Sequence, residues 1–406
     1  MTGVRPTSRW QDVCFLAMLA ACPPLSIDMY LPAIQTIARE MDHPLSTVNL
    51  SLVLWFVGFS IALLVSGPLS DRYGRKPVLY GGLGLFTIAS LGCAASTNIV
   101  MLISTRILQG IGAGGPSAMC LAICRDRYEG DRRKKVLATV SILLTLAPML
   151  SPAIGTQLLI YFQWQAIFIL QAFFGIGLLI LTVGQTESAI QLSDTPLYKT
   201  FGRYGNLLKN RNYVRSTIAL GTLIGPYLGY VAFAPIVYTR IFDQNNQTFS
   251  LLFALNALLY MTGALMSTRI SKRMGDHALL TLCIISTLAG GLGITLIGHL
   301  HPATFALTMG LITLSFGMTR PISQHIILEQ VQIDVGAASS MLVFYQFMIG
   351  AACMTIAGQP WLAPIVVFGC MAMAISIIVL MMWLMLHKKL ASTDNEPPTL
   401  QEVIQE

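Results

Sequence analysis

The sequence predicts an all-α integral membrane protein, with twelve transmembrane helices in two pseudo-symmetric six-helix bundles. Three observations predict it. Hydrophobic residues make up 54% of the chain and charged ones only 11%, where soluble proteins carry about 25% charged residues; mean hydropathy is +0.68. Twelve apolar stretches approach or exceed the roughly 20 residues a helix needs to cross the hydrocarbon core. The longest polar interruption, Gln185 to Arg215, divides them six and six.

In order, the spans lie near 11–36, 47–70, 77–96, 98–124, 136–161 and 164–184, then 214–239, 248–270, 278–299, 302–328, 336–358 and 362–387. The expected units are a first bundle over 1–184, a linker over 185–213, a second bundle over 214–387 and a tail over 388–406. The first stretch is too long, and too polar at its far end, for a cleaved signal-peptide core, so it counts as a span. Pro23-x8-Pro32 in span 1 is echoed by Pro226-x8-Pro235 in span 7. A weaker echo sets Ser271-Lys-Arg-Met-Gly275 after span 8 in the place of the charged loop after span 2. Halves related by a pseudo-twofold along the membrane normal bring a substrate site to their interface near the midplane.

With both termini in the cytoplasm, 21 of the 25 Lys and Arg residues fall in cytoplasmic segments, as the positive-inside rule requires. The net charge of +7 therefore reflects topology and calls for no nucleic-acid partner. In the linker, Lys199, Arg203, Lys209, Arg211 and Arg215 alternate with Tyr198, Phe201, Tyr204 and Leu207. This pattern suits a tethering helix on the cytoplasmic membrane surface, apolar side down and cations toward the headgroups. The eight cysteines lie within or at the ends of spans. With no close-spaced Cys or His pairs in the loops, no disulfide framework, metal site or cofactor is expected. No loop carries a nucleophile or phosphate-binding constellation, so the chain is not read as an enzyme and no catalytic residue is assigned. The short acidic tail from Ala391 to Glu406 is expected to be disordered.

Of eighteen Asp and Glu residues, only Asp28 sits well inside a predicted span. An aspartate there costs roughly 2.5 to 3.5 kcal/mol on insertion scales, which makes it a functional candidate by default. Such a group is suited to loading and releasing a proton; the plainer alternative is a hydrated cap of the irregular Pro23-Pro24 region. Arg106 in span 4, on the same side of the midplane by residue count, is its natural counter-charge. Arg320 in span 10 is read as snorkelling to the cytoplasmic headgroups, with exposure to a central cavity as the alternative. Tyr30, Gln109, Tyr227, Tyr230, Phe233, Tyr345 and Gln346 are candidates to line a cavity for flat apolar compounds.

Gly67-Pro-Leu-Ser-Asp-Arg-Tyr-Gly-Arg-Lys-Pro-Val78, between spans 2 and 3, resembles the signature loop of the major facilitator superfamily, G-x-L-x-D-R-x-G-R-K. Arg106-Ile-Leu-Gln-Gly110-Ile-Gly112 resembles the family's R-x-x-Q-G-x-G stretch, whose arginine is tied to proton coupling. In span 5, Ala147-Pro148, Pro152 and Gly155 resemble the helix-bending motif of its drug exporters, with Ser151 and Thr156 standing where that motif has glycine. Together with Ile27-Asp28-Met29-Tyr30-Leu31-Pro32, these look like the Bcr/CflA group of drug-proton antiporters.

That resemblance implies a monomeric transporter of the bacterial cytoplasmic (inner) membrane, exporting small amphipathic drugs or metabolites in exchange for protons. It also implies a conformational latch of Gly67, Asp71, Arg72, Gly74, Arg75 and Asp126. In that latch Arg75 pairs with Asp126, and Asp71 faces the free N–H groups that open span 11. A solute importer or facilitator, a siderophore or metabolite exporter, and a transport-inactive sensor or scaffold are the alternatives.

Overall fold

The computed structural model describes residues 9–185, 187 and 197–393, which form helices joined by short turns, with no strand among the described residues. The first half comprises α1 (Arg9–Asp28), α2 (Ile34–Glu40), α3 (Leu45–Tyr73), α4 (Arg75–Ala94), α5 (Ile99–Arg127), α6 (Gly130–Tyr161) and α7 (Gln165–Val183). After α8 (Leu197–Lys209), the second half comprises α9 (Arg211–Gly221), α10 (Gly225–Pro235), α11 (Asn246–Met274), α12 (Asp276–Ile297), α13 (Pro302–Glu329), α14 (Val335–Ala357) and α15 (Pro364–Thr393). Among the described residues, eleven helical segments are long and apolar enough to cross a membrane. The remaining predicted span lies on α6, 32 residues long, whose apolar part among the described residues is Leu146–Tyr161.

Span 1 is broken. α1 stops at Asp28, a short turn and a 3-10 segment Leu31–Ala33 follow, and α2 completes the crossing. Proline has no N–H, so Pro32 cannot donate to the Asp28 carbonyl and the helix is interrupted there. Pro23 and Pro24, which the sequence marks as irregular, instead lie inside α1. The matching span 7 is broken too, by a 3-10 turn at Thr222–Ile224 ahead of Pro226 and a wide π turn at Ile236–Ile241 after Pro235.

Packing obeys the same twofold relation. In the first half α1 packs on α6, α3 on α5, and α4 on both α5 and α7; in the second, α10 packs on α14, α11 on α13, and α12 on both α13 and α15. The halves meet where α3 touches α14 and α6 touches α11, two contacts that the same operation exchanges. Small residues let backbones approach closely at matching places. A Cβ on Gly110 of α5 would lie 2.2 Å from the Trp55 carbonyl of α3, and one on Gly317 of α13 would lie 2.2 Å from the Tyr260 carbonyl of α11. The loop echo is structural as well: Gly74 (φ +95°) and Gly275 (φ +80°) each end one helix and open the next. Their N–H groups donate to Ser70 and Ser271 at 3.1 and 2.7 Å.

Cross-half hydrogen bonds gather at the face away from the basic loops. Gln35 Nε2 donates to the Thr239 carbonyl (3.4 Å), Asn49 Nδ2 to the Ala232 carbonyl (3.3 Å), and the Thr156 and Ser250 hydroxyls meet at 2.9 Å. At the basic face, Gly67 and Gly336 border open space. There α8 lies over α3 and α14, with Tyr204 and Leu207 buried, the Tyr204 hydroxyl donating to the Leu64 carbonyl (2.9 Å) and Arg203 paired with Asp334 (3.3 Å). The apolar side expected to lie on the membrane surface thus covers the protein, because the seam between α3 and α14 offers apolar surface to bury. Residues 188–196 of the predicted linker and the predicted disordered tail beyond Thr393 lie outside the described residues.

Candidate substrate and proton site

Arg106 is fully buried inside the first bundle. Its guanidinium lies 4.5 Å from the Tyr30 ring centre, with Trp55 and Phe168 within 6 Å, an aromatic surround that favours a desolvated cation. Nη1 donates to Gln109 Oε1 (2.6 Å) and to the Ser26 carbonyl (3.1 Å). That carbonyl is available because the Tyr30 N–H turns tighter, to Ile27. Gln109 Nε2 then reaches Ser90 Oγ (2.8 Å) and Gln171 Oε1 (2.7 Å), while Gln171 Nε2 returns to the Leu25 carbonyl (3.3 Å). This network ties α1, α4, α5 and α7 together at the depth of Asp28.

Asp28 itself is not part of that network. It is 5% exposed, and no Lys, Arg or His nitrogen lies within 4 Å of it among the described residues. The counter-charge expected in Arg106 is therefore not in contact with it. The reason is helical geometry: residues two apart project about 200° apart, so a helix held by Arg106 at Ser26 turns Asp28 the other way. Every other Asp or Glu in the described spans, from Asp12 to Glu329, occupies a first or last turn.

Tyr227 belongs to a stack. Its ring centre lies 5.4 Å from that of Tyr260 and 5.0 Å from that of Phe316, at interplanar angles of 23° and 24°. The Tyr260 hydroxyl accepts from Arg320 Nη1 at 2.7 Å. Arg320 thus turns inward onto this stack instead of snorkelling to the surface, because the Tyr260 phenol oxygen and the aromatic faces lie within reach. Tyr260 and Phe316 escaped the sequence reading, since aromatic residues in spans carry no signal of their own; the membrane charge of Arg320 was the one available clue.

Among the remaining cavity candidates, Tyr30 (hydroxyl to Ser51, 2.8 Å) and Gln109 are closed inside the first bundle. Tyr230 stacks on Phe253 and Phe233 on Phe368, both buried, and Gln346 is buried too. Tyr345 is half-buried, its hydroxyl 2.8 Å from Thr222 Oγ1. Of the seven, Tyr227 is the one that joins the stack at Arg320. In span 5, Pro148 and Pro152 lie within α6 without ending it. Gly155 is pressed on the break in span 1, where a Cβ would stand 2.2 Å from the Met29 carbonyl. Thr156 supplies the cross-half bond to Ser250.

At the basic face, Arg75 donates to Asp126 (2.8 Å) and Asp71 (2.8 Å), and also contacts Ser70. Arg72 leans on the Tyr73 ring (5.5 Å). The Arg75–Asp126 pairing implied by resemblance is present. Asp71, however, is 52% exposed and pairs within its own half, while the start of α14 bears Asp334 bonded to Arg203. A further anion was missed: Glu187 accepts from the backbone N–H groups of Arg75 (2.8 Å) and Lys76 (3.2 Å), capping the positive end of α4.

Long apolar helices paired in two related halves that meet along two equivalent seams fit a membrane secondary transporter. Comparison with known proteins sharpens this. The chain belongs to the Major Facilitator Superfamily, whose profile matches residues 16–355. It is 29% identical over 343 residues to the uncharacterized MFS-type transporter YdgK of Bacillus subtilis, covering 83% of this chain and 85% of that one. It is 27% identical over 367 residues to the multidrug resistance protein MdtL of Escherichia coli, covering 90% and 91%. Among solved structures, a peptide transporter POT in complex with sulfate superposes with a TM-score of 0.76 at 14% identity, covering 94% of this chain and 97% of that one. A D-xylose-proton symporter superposes with a TM-score of 0.72 at 14% identity, covering 92% and 97%. At that identity the two structures speak for the fold alone.

Proposed function

We propose that this chain exports small amphipathic compounds, drugs or related metabolites, in exchange for protons, by alternating access of two bundles (1–184 and 214–387) joined by the linker 185–213 and followed by a tail over 388–406. The observation that carries this reading is Asp28: a buried carboxylate near the middle of span 1, with no ionic partner among the described residues. Such an acid is able to hold a proton in one state and release it in another as its surroundings change. Arg106 tunes it. Its Nε and Nη2 groups have no hydrogen-bond partner, and rotation of α1 about the Ser26 contact would bring the carboxylate toward these donors.

The basic face is taken as cytoplasmic, with both termini inside a bacterial inner membrane, because 21 of 25 Lys and Arg residues then lie on that side. The conformation described is in that case closed toward the outside. Asp71 and Arg72, hinged at Gly67 and Gly74 and held in place by the Arg75–Asp126 pair already formed here, are the latch of the opposite state. The exposed Asp71 contact contributes under about 1 kcal/mol, which suffices when two states are nearly balanced. The likeness to a multidrug resistance protein supports the drug class. A single intramembrane acid favours neutral, zwitterionic or monocationic substrates, carried by a monomer.

The test is proton release from acidified everted vesicles, followed with a pH-quenched dye while lipophilic antibiotics and dyes are added. Dequenching by wild type and not by Asp28→Asn is expected. Silence from correctly inserted wild type across the panel, or an equal response from both proteins, refutes the reading.

A further inference from the structure

We infer that Arg320, Tyr260, Tyr227 and Phe316 form a carboxylate-binding subsite, so that the compounds taken by this site include aromatic carboxylates. The inference rests on the export reading for the direction of movement and on the geometry alone for binding.

Arg320 lies nine residues before the end of α13, about 13 Å along the helix at 1.5 Å per residue. A cation at that depth needs a reason to be there. No carboxylate lies within 4 Å of it among the described residues. Its bond to the Tyr260 hydroxyl engages one donor of five. Arg320 is half-buried, and none of its other nitrogens is sealed away unpartnered, so those donors remain accessible. A guanidinium presents them as a planar fork that matches a carboxylate through two parallel bonds.

The surroundings of the fork are equally directed. Tyr227, Tyr260 and Phe316 stack nearly parallel, giving a flat wall on which an aromatic body can lie. The wall is held rigid from behind, where Gly317 of α13 meets the Tyr260 backbone of α11. A guanidinium fork beside this wall complements a molecule with a flat aromatic body and a carboxylate.

The experiment measures equilibrium binding to purified full-length protein in detergent, with norfloxacin and its methyl ester as probes. The ester keeps the aromatic body and the amine and removes only the anion. Wild type is expected to bind the acid about tenfold more tightly or better, the scale of a hydrogen bond to a charged partner. Arg320→Gln should abolish that preference while leaving ester binding unchanged. Arg320→Lys, a point charge without the fork, should keep a preference of a few-fold, and it carries the test if the Gln variant does not fold. Failure of wild type to bind the acid, equal binding of acid and ester, or an undiminished preference in Arg320→Gln overturns the subsite. Because binding needs no gradient, an acid preference without proton release in vesicles would leave the subsite standing and remove the antiport reading alone.

Discussion

Replacing Gly155 by alanine puts one methyl group into the contact between α6 and the break in span 1. The new Cβ would stand 2.2 Å from the Met29 carbonyl oxygen, 3.0 Å from its carbon and 3.2 Å from its Cα. All three are backbone atoms, so no side chain can swing aside. Reaching ordinary contact near 3.4 Å requires α6 and the Met29 turn to part by roughly 1.2 Å, and over-packing of this kind costs about 1–3 kcal/mol. Since Met29 follows Asp28 directly, the displacement also reaches the site. Purified Gly155→Ala protein should melt several degrees below wild type, followed by intrinsic fluorescence in detergent, and its transport in vesicles should fall with it. Gly177→Ala is the control: nothing lies within 4 Å of that position, so the substitution gains helix propensity, up to about 1 kcal/mol. Wild-type melting and transport in Gly155→Ala would refute the packing argument.

Asp126→Asn takes one of two carboxylates from Arg75, 2% exposed, and leaves Asp71; losing a hydrogen bond to a charged partner costs about 1.5–3 kcal/mol, and a melting temperature unchanged from wild type would count against the pair's role. Arg106→Lys keeps the charge but loses the planar stacking on Tyr30 and the forked donors, so drug-induced proton release should drop at least about tenfold while the protein still inserts; near-normal release would show that charge alone matters. Thr156→Val removes a cross-half hydrogen bond worth about 0.5–1.5 kcal/mol, and should raise the population open on that face by roughly 2- to 10-fold. Spin-label distances between Arg39→Cys and Arg240→Cys read that shift, and an unmoved distribution would sink the claim.

The spans, their division six and six and the depth of each charge are legible in the sequence alone. Hydrocarbon imposes these rules locally: every crossing must be a long apolar helix, and a charge inside one stands out by residue count alone. The proline echo and the signature loop were legible for the same reason, since proline and positive-φ glycine constrain their own backbone, as the paired breaks in spans 1 and 7 and the turns at Gly74 and Gly275 bear out. Rotation of helices about their axes was not legible. Asp28 and Arg106 share a depth, yet the Ser26 contact turns them onto different faces of α1. Tyr227, Tyr260 and Arg320 come from three separate helices and meet only because α10, α11 and α13 pack together. The linker's apolar side found a protein surface to cover instead of the membrane. Depth follows from counting along one chain; facing depends on which neighbours pack against each helix, and only the tertiary structure decides that.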